Sequence, residues 1–329
     1  MRIILEDDAF NEVDELALTG LIHRSISKKC YLGVRNESGK YYTRWRAGAS
    51  SAVISALDIV QAWDLFDASV FRTITVCVGS SNDRSWFGRP PRISLSETLA
   101  LIDTPFRILL ENGRYDRAFL LAMSNDDDHD LLVRLEIERR LVFAGGGGID
   151  ELRELVNETY SRETVRHLRC WALFDSDAPS PGAVSKSAHD TAQALDEAEI
   201  PRHMLRRRAI ENYMPRGTLG VWAYTMPGSG KDRVAKLEAL VRMTPDQRAH
   251  YHMKNGFSLT PTADEQALFK NLSDADRVVL KDGIGKRLSD LYRDVERDKL
   301  RRHIKADGSD VELTGPISSL IEMLRVPHG

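Results

Sequence analysis

Between residues 107 and 216 the chain alternates two kinds of block. Short apolar runs, "RILLE" (107–111), "RLVFA" (140–144), "CWALFD" (170–175) and "HMLR" (203–206), are separated by the longer segments "DRAFLLAMS", "IDELRELVNETY" and "SAHDTAQALDEAEI". In the longer segments apolar residues recur three and four apart, as with Ile149, Leu152 and Leu155, or Ala188, Ala192 and Leu195, which is helical spacing. The pattern predicts strand, helix, strand, helix, strand, helix, strand. Continuous apolar strands joined through helices imply a parallel sheet covered on both faces, because parallel neighbours need a crossover connection. The expected fold class is therefore α/β, with this core at residues 105–220.

The flanking regions read differently. In residues 1–104, "KKCYLGVRN" and "KYYTRW" flank "ESG" in the manner of a hairpin, "SSAVISALDIVQAWDLF" has helical spacing and "FRTITVCVG" reads as a strand. A small mixed α/β domain is expected there, with "SSNDRSWFGRPPR" (80–92) as its exit loop. Residues 221–329 are expected to be mostly helical, and Thr260 and Ser273 precede apolar-periodic runs as helix N-caps.

Composition narrows the function classes. A chain of 329 residues with 42% hydrophobic and 29% charged residues and a net charge of −3 has no general positive field, so any polyanion site must be local. Cys30, Cys77 and Cys170 are far apart with no CxxC, which points to a reduced, cytoplasmic setting without structural zinc. No apolar run approaches the roughly 18 to 20 residues of a membrane span. "MRIILEDDAF" turns acidic too early for a signal peptide, so a membrane is not among the expected partners.

The chemistry lies in the carboxylates. In parallel α/β sheets, ligands bind beyond the carboxyl ends of the strands. Glu111 ends the first strand of the core, Asp175 and Asp177 end the third, Glu211 follows the fourth, and Asp116, a turn past Glu111, can join them. A lone D-x-D on a loop is more often solvated or capping. A group of acids gathered at one rim, however, repels itself unless a cation neutralises it. Oxygen ligands in this number suit Mg²⁺ or Mn²⁺, and a pair of ions roughly 4 Å apart activates water and stabilises the leaving oxygen of a phosphodiester.

These residues carry a resemblance. "ILLENGRYDRAFLLA" resembles the glutamate-bearing first motif of TOPRIM (topoisomerase-primase) domains, and "ALFDSDA" resembles their D-x-D motif. "VFAGGGGIDEL" is similar to the glycine turn after the second strand in the OLD (overcoming lysogenization defect) nuclease branch, and "LRRRAIENYMP" to the R-x-x-IENY segment of that branch. The resemblance covers residues 105 to 216 and implies a TOPRIM-like catalytic core: a metal-dependent endonuclease acting on DNA or RNA with two divalent ions. Glu111 would be ligand and general base, Asp175 and Asp177 metal ligands, and Glu211 a ligand of the second ion. The family usually has glycine after the glutamate and an acid four residues on, whereas here Asn112 follows Glu111 and Asp116 stands five on. The branch also carries a lysine near the scissile phosphate, for which Lys254 in "YHMKNGF" is the candidate. OLD proteins join the domain to an ABC-type ATPase and often serve in antiphage defence. Here "TMPGSGKD" lacks the first glycine of a Walker A motif and has Asp232 in place of Ser or Thr, so such an ATPase would act in trans.

Other signals are weaker. Arg206, Arg207 and Arg208 precede Glu211 and can meet nucleic-acid phosphates, as can "RDKLRRHIK" (297–305), although such runs are often simply solvated. "SNDDDHD" (124–130) reads as a surface acid run rather than an HD phosphohydrolase motif. "RETVRH" (162–167) has the R-x4-H spacing of HEPN ribonucleases but precedes a strand. The run Gly145 to Gly148 could let backbone N–H groups approach a phosphate, or could be a flexible connection. A TOPRIM-fold regulatory or scaffolding subunit is the alternative, and a homo-oligomer is compatible with either reading. A topoisomerase or primase fits less well, since no zinc ribbon is present.

Overall fold

The computed structural model describes residues 1–11, 14–67, 75–80, 85, 88, 90–159, 166–225, 230–285 and 287–324. Parts of "SSNDRSWFGRPPR", "RETVRH" and "TMPGSGKD" lie outside the described residues. The chain divides into two compact units, one comprising Met1–Phe106, Thr159–Arg169 and Ser318–Gly329, the other Arg107–Glu158 and Cys170–Ile317.

The first unit is built on a parallel sheet of β1 (Arg2–Leu5), β2 (Tyr31–Val34), β3 (Thr75–Val78) and β4 (Arg92–Ile93), in the order β2-β1-β3-β4. Ile3, Leu5, Leu32, Val76 and Val78 are buried in its core with Leu21 and Leu57 from two covering helices. "KYYTRW" is not a hairpin strand. Lys40–Gly48 is a helix, and β2 pairs with β1 instead. Aromatic and β-branched residues favour strands only where a sheet offers them a place. Here the Asp7 carboxylate accepts the backbone N–H groups of Tyr41 and Tyr42 at 3.1 and 3.0 Å, satisfying donors that a helix N-terminus leaves open. Phe10 then packs on Tyr42 and Trp45, with ring centroids 5.0 and 5.1 Å away.

The second unit contains the expected α/β core. Strands β5 (Phe106–Leu110), β6 (Leu141–Gly145), β7 (Cys170–Phe174) and β8 (Arg202–Met204) form a parallel sheet in the order β6-β5-β7-β8. Every residue of β7 is buried, as a central strand covered on both faces requires. Leu110 of β5 lies opposite Leu173 of β7, so Glu111 and Asp175 leave the sheet at the same edge. The "SNDDDHD" run lies largely exposed, as a surface acid run, and it opens a helix, Asp126–Ile137. Asn125 caps it, and three aspartates stand in its first turn, where negative charge is favoured.

Beyond residue 220 the described chain is helical, in short pieces. Ser273 caps Asp274–Leu280 as expected, but the cap of Ala263–Phe269 is Thr262, not Thr260. Thr262 accepts the N–H of Glu265 at 3.2 Å, the N-cap-to-N3 spacing that Thr260 lacks for this helix. Cys30, Cys77 and Cys170 are buried and form no disulfide with one another. Among the described residues no helix is long and apolar enough to cross a membrane.

The glycine run after β6 serves the chain itself. Gly145, at φ +142°, packs so closely under β5 that a Cβ there would stand 1.8 Å from the Leu110 carbonyl oxygen. The Gly148 N–H donates to the Glu111 carbonyl at 3.1 Å. The two turns therefore fix each other's backbone. Gly145→Ala is expected to destabilise the chain by about 3 kcal/mol or more, because unfavourable φ and backbone overlap coincide. A denaturant titration measures it.

Candidate metal centre

The carboxyl edge of the second sheet opens into a cavity of about 190 Å³ lined by Glu111, Asp175, Asp177, Arg208, Glu211 and Lys254, among others. Four of the five predicted acids thus meet in one place. Each is delivered by a different local device. Glu111 follows the last residue of β5, and its Oε2 lies 3.4 Å from the Asp175 backbone N–H. Asp175 is buried, and its Oδ1 accepts the Ile210 N–H at 3.1 Å. Asp177 is turned into the site by a left-handed backbone, φ +48°, with its N–H donating to the Arg208 carbonyl at 2.9 Å. That conformation is uncommon outside glycine and concentrates at functional turns.

Glu211 sits in the one-turn helix Ile210–Tyr213, and each residue of this "IENY" has a separate task. The Ile210 carbonyl accepts the Tyr292 hydroxyl at 2.8 Å. Asn212 donates from one amide nitrogen to the carbonyls of Arg248 and Tyr251, at 2.8 and 2.9 Å, clamping the turn that precedes Lys254. Tyr213 donates to Glu312, a partly buried carboxylate that also accepts the Arg206 N–H and meets His203. Glu211 is 1% exposed; its Oε1 receives the Lys254 ammonium at 3.1 Å and the Ser289 hydroxyl. Its Oε2 is buried with no hydrogen-bond partner.

Asn212→Ala removes the donor to two carbonyls, one buried and one part-buried, and is expected to cost about 1–3 kcal/mol, the range for a buried group left unsatisfied. It should also release the Lys254 loop, seen as faster amide hydrogen exchange at residues 252–256 than elsewhere in the unit.

The electrostatics are those of acids short of positive charge. Burial, and then the nearby Asp177, push the Glu111 carboxyl up to about 7, against a usual 4.5. Asp175 is raised well above the usual carboxylate range by burial and by Glu111, Asp116 and Glu211. For Lys254, burial opposes the charge, but Glu211, Asp175 and Glu111 outweigh it and hold the ammonium above its ordinary value.

Asp116 behaves differently from the other four. Its Oδ2 accepts the Asn112 N–H at 2.6 Å, bracing the turn that carries Glu111, and it does not line the cavity. Burial raises its carboxyl to about 8. The three arginines also divide. Arg208 lines the cavity with a buried Nε that has no partner. Arg207 is occupied by the Asn212 carbonyl at 2.8 Å and the Tyr213 ring at 4.5 Å, and Arg206 points to solvent. His252 and Asn255 line the site without having been singled out in the sequence; their one signal was the company of Lys254 in the same loop.

The donor set fits a hard divalent cation. Its oxygens are carboxylates, and the buried, unpartnered Oε2 of Glu211 is an atom that a cation would satisfy. As placed, no three acidic, His or Cys side chains among the described residues are grouped closely enough to hold one ion. No protein-family model, curated protein or solved structure matches this chain.

Proposed function

We propose that the chain is a divalent-metal-dependent endonuclease with a TOPRIM-like core of the OLD branch. The observation that carries this reading is the gathering of Glu111, Asp175, Asp177 and Glu211 around one cavity with Lys254, at the carboxyl edge of a parallel sheet. Glu111, Asp175, Asp177 and Glu211 would hold Mg²⁺ or Mn²⁺, which supplies water activation and neutralisation of charge on a phosphodiester. Around that centre the chain's own residues bind and orient. Lys254 and Arg208 present cationic groups to the phosphate, and Glu111, at about 7, can take a proton near neutral pH. The resemblance extends to an ABC-type ATPase partner in trans and a role in antiphage defence, which belong to the same proposal.

The test is direct. Supercoiled plasmid and tRNA are incubated separately with the protein and Mn²⁺ or Mg²⁺. Cleavage of one of them by the wild type and none by Asp175→Ala is the expected result; equal cleavage by both proteins sinks the proposal.

One observation favours a second reading, a TOPRIM-fold regulatory or scaffolding subunit. Lys254 already neutralises Glu211, and raised carboxyls let the cavity persist without an ion. Isothermal titration with Mg²⁺ and Mn²⁺ separates the two, since a scaffold binds neither.

A further inference from the structure

A second cavity in the same unit shares no lining residue with the carboxylate site. It has a volume of about 410 Å³ and lies between the helix Tyr115–Met123 and the segment from Tyr292 to Arg301. We propose that it binds a nucleoside phosphate, with the phosphate held by Arg297 and Arg301.

Arg301 carries the argument. It is only 7% exposed, and its Nε is buried with no hydrogen-bond partner. The carboxylates of Asp126 and Asp310 are 4.0 and 3.9 Å away, and Arg301 donates to the Ala122 carbonyl at 3.3 Å. A guanidinium taken out of water with a donor unmade is expensive to bury. Arg297 stands one turn earlier on the same helix, on the same face, and its Nε is likewise buried and unpartnered. Its other end donates to Asp126 at 2.7 Å, so that exposed aspartate is shared by both arginines. Two planar guanidinium cations, one helical turn apart, line this one cavity, and such groups match an oxyanion with several acceptor oxygens.

The rest of the cavity sets the size and kind of ligand. Arg117 and Arg293 line it but are held by Glu136 and by Asp290 and Asp294, so they add field rather than free donors. Leu121, Val295 and Leu300 give it an apolar wall, suited to a sugar or base edge. The volume is in the lower range of small-ligand pockets, enough for one nucleotide unit. That unit is either free or the phosphorylated end of a strand, and the chemistry at Arg297 and Arg301 is the same for both.

The experiment titrates the full chain with adenosine monophosphate, adenosine, and a short oligonucleotide with or without a 5′-phosphate. Adenosine monophosphate or the 5′-phosphorylated strand is expected to bind, adenosine and the unphosphorylated strand not. Which of the two phosphate compounds binds identifies the source. Arg301→Met changes a buried side chain, so a change in binding there would be mixed with a change in stability. Arg297→Gln, at a side chain 39% exposed, keeps the fold and carries the test. It should weaken phosphate-ligand binding by about tenfold or more, the loss of a charge-assisted contact, while leaving Mn²⁺ titration at the carboxylates unchanged. No binding of either phosphate compound at millimolar concentration, or equal binding by wild type and Arg297→Gln, overturns the proposal. Neither result depends on whether the chain cleaves nucleic acid.

Discussion

Glu211→Gln is expected to lower metal-dependent cleavage by about a thousandfold while the chain stays folded, because several kcal/mol of charge stabilisation disappear with one carboxylate. The geometry separates charge from shape at this position. A glutamine is isosteric and still offers an oxygen to Lys254 and Ser289, the two groups that meet Glu211 Oε1. What it cannot offer is the negative Oε2, which is buried and unpartnered in the protein alone. The variant should therefore melt near the wild type and fail to respond to Mn²⁺. Ser289→Ala is the companion. The Ser289 hydroxyl donates to the Glu211 carboxylate, so Ser289 is a positioning residue, and its loss is expected to weaken Mn²⁺ affinity about tenfold, with cleavage recovering at saturating ion. Rates measured across an Mn²⁺ series distinguish the two patterns. A Glu211→Gln protein that cuts like the wild type would falsify the assignment of Glu211 to the ion.

The parts of the fold that were legible in the sequence are those where one short-range pattern decides the outcome. Strands buried on both faces read as unbroken apolar runs, and "CWALF" became a fully buried central strand. The acids at and beyond the strand ends were legible for the same reason, since a parallel sheet sends residues as distant as Glu111 and Asp175 to one edge. Specific partners decide other places. The tyrosines of "KYYTRW" suggest a strand, but Asp7, more than thirty residues earlier, caps them into a helix. Asp116 meets a local partner, its Oδ2 accepting the Asn112 N–H four residues back, a bond that the spacing of acids alone does not show. The basic run at 297–305 looked like a solvated face or a nucleic-acid track. Only tertiary packing against the helix Tyr115–Met123 turns Arg297 and Arg301 inward.

The metal-free chain is expected to lose stability as pH rises from 6.5 to about 8.5, and Mn²⁺ is expected to restore it. The sign follows from the direction of the shifts. Glu111 and Asp116 have folded values near 7 and 8, against ordinary values of 4.5 and 3.8, so over this window the folded state keeps protons that the unfolded state has released. Their contribution is full below the ordinary values and is lost as pH climbs through the folded ones. His250 and His252 are depressed by burial and act in the opposite sense, but only below their ordinary 6.5. The depressed carboxyls of Asp8, Asp103 and Glu312 act lower still, below their ordinary values. The window above 6.5 therefore isolates the buried acids. The loss is on the order of 3 kcal/mol, or about 4 °C in melting temperature for a chain of this size. A divalent ion binds the ionised site in the folded state alone, so its stabilisation should be large at the upper end of the window and small at the lower end, where protons compete. Asp116→Asn distinguishes brace from ligand in the same experiment. An amide oxygen can still accept the Asn112 N–H, so this variant should flatten the pH slope and keep the Mn²⁺ response. If that response vanished with Asp116, the residue would belong to the ion's coordination rather than to the turn beneath it.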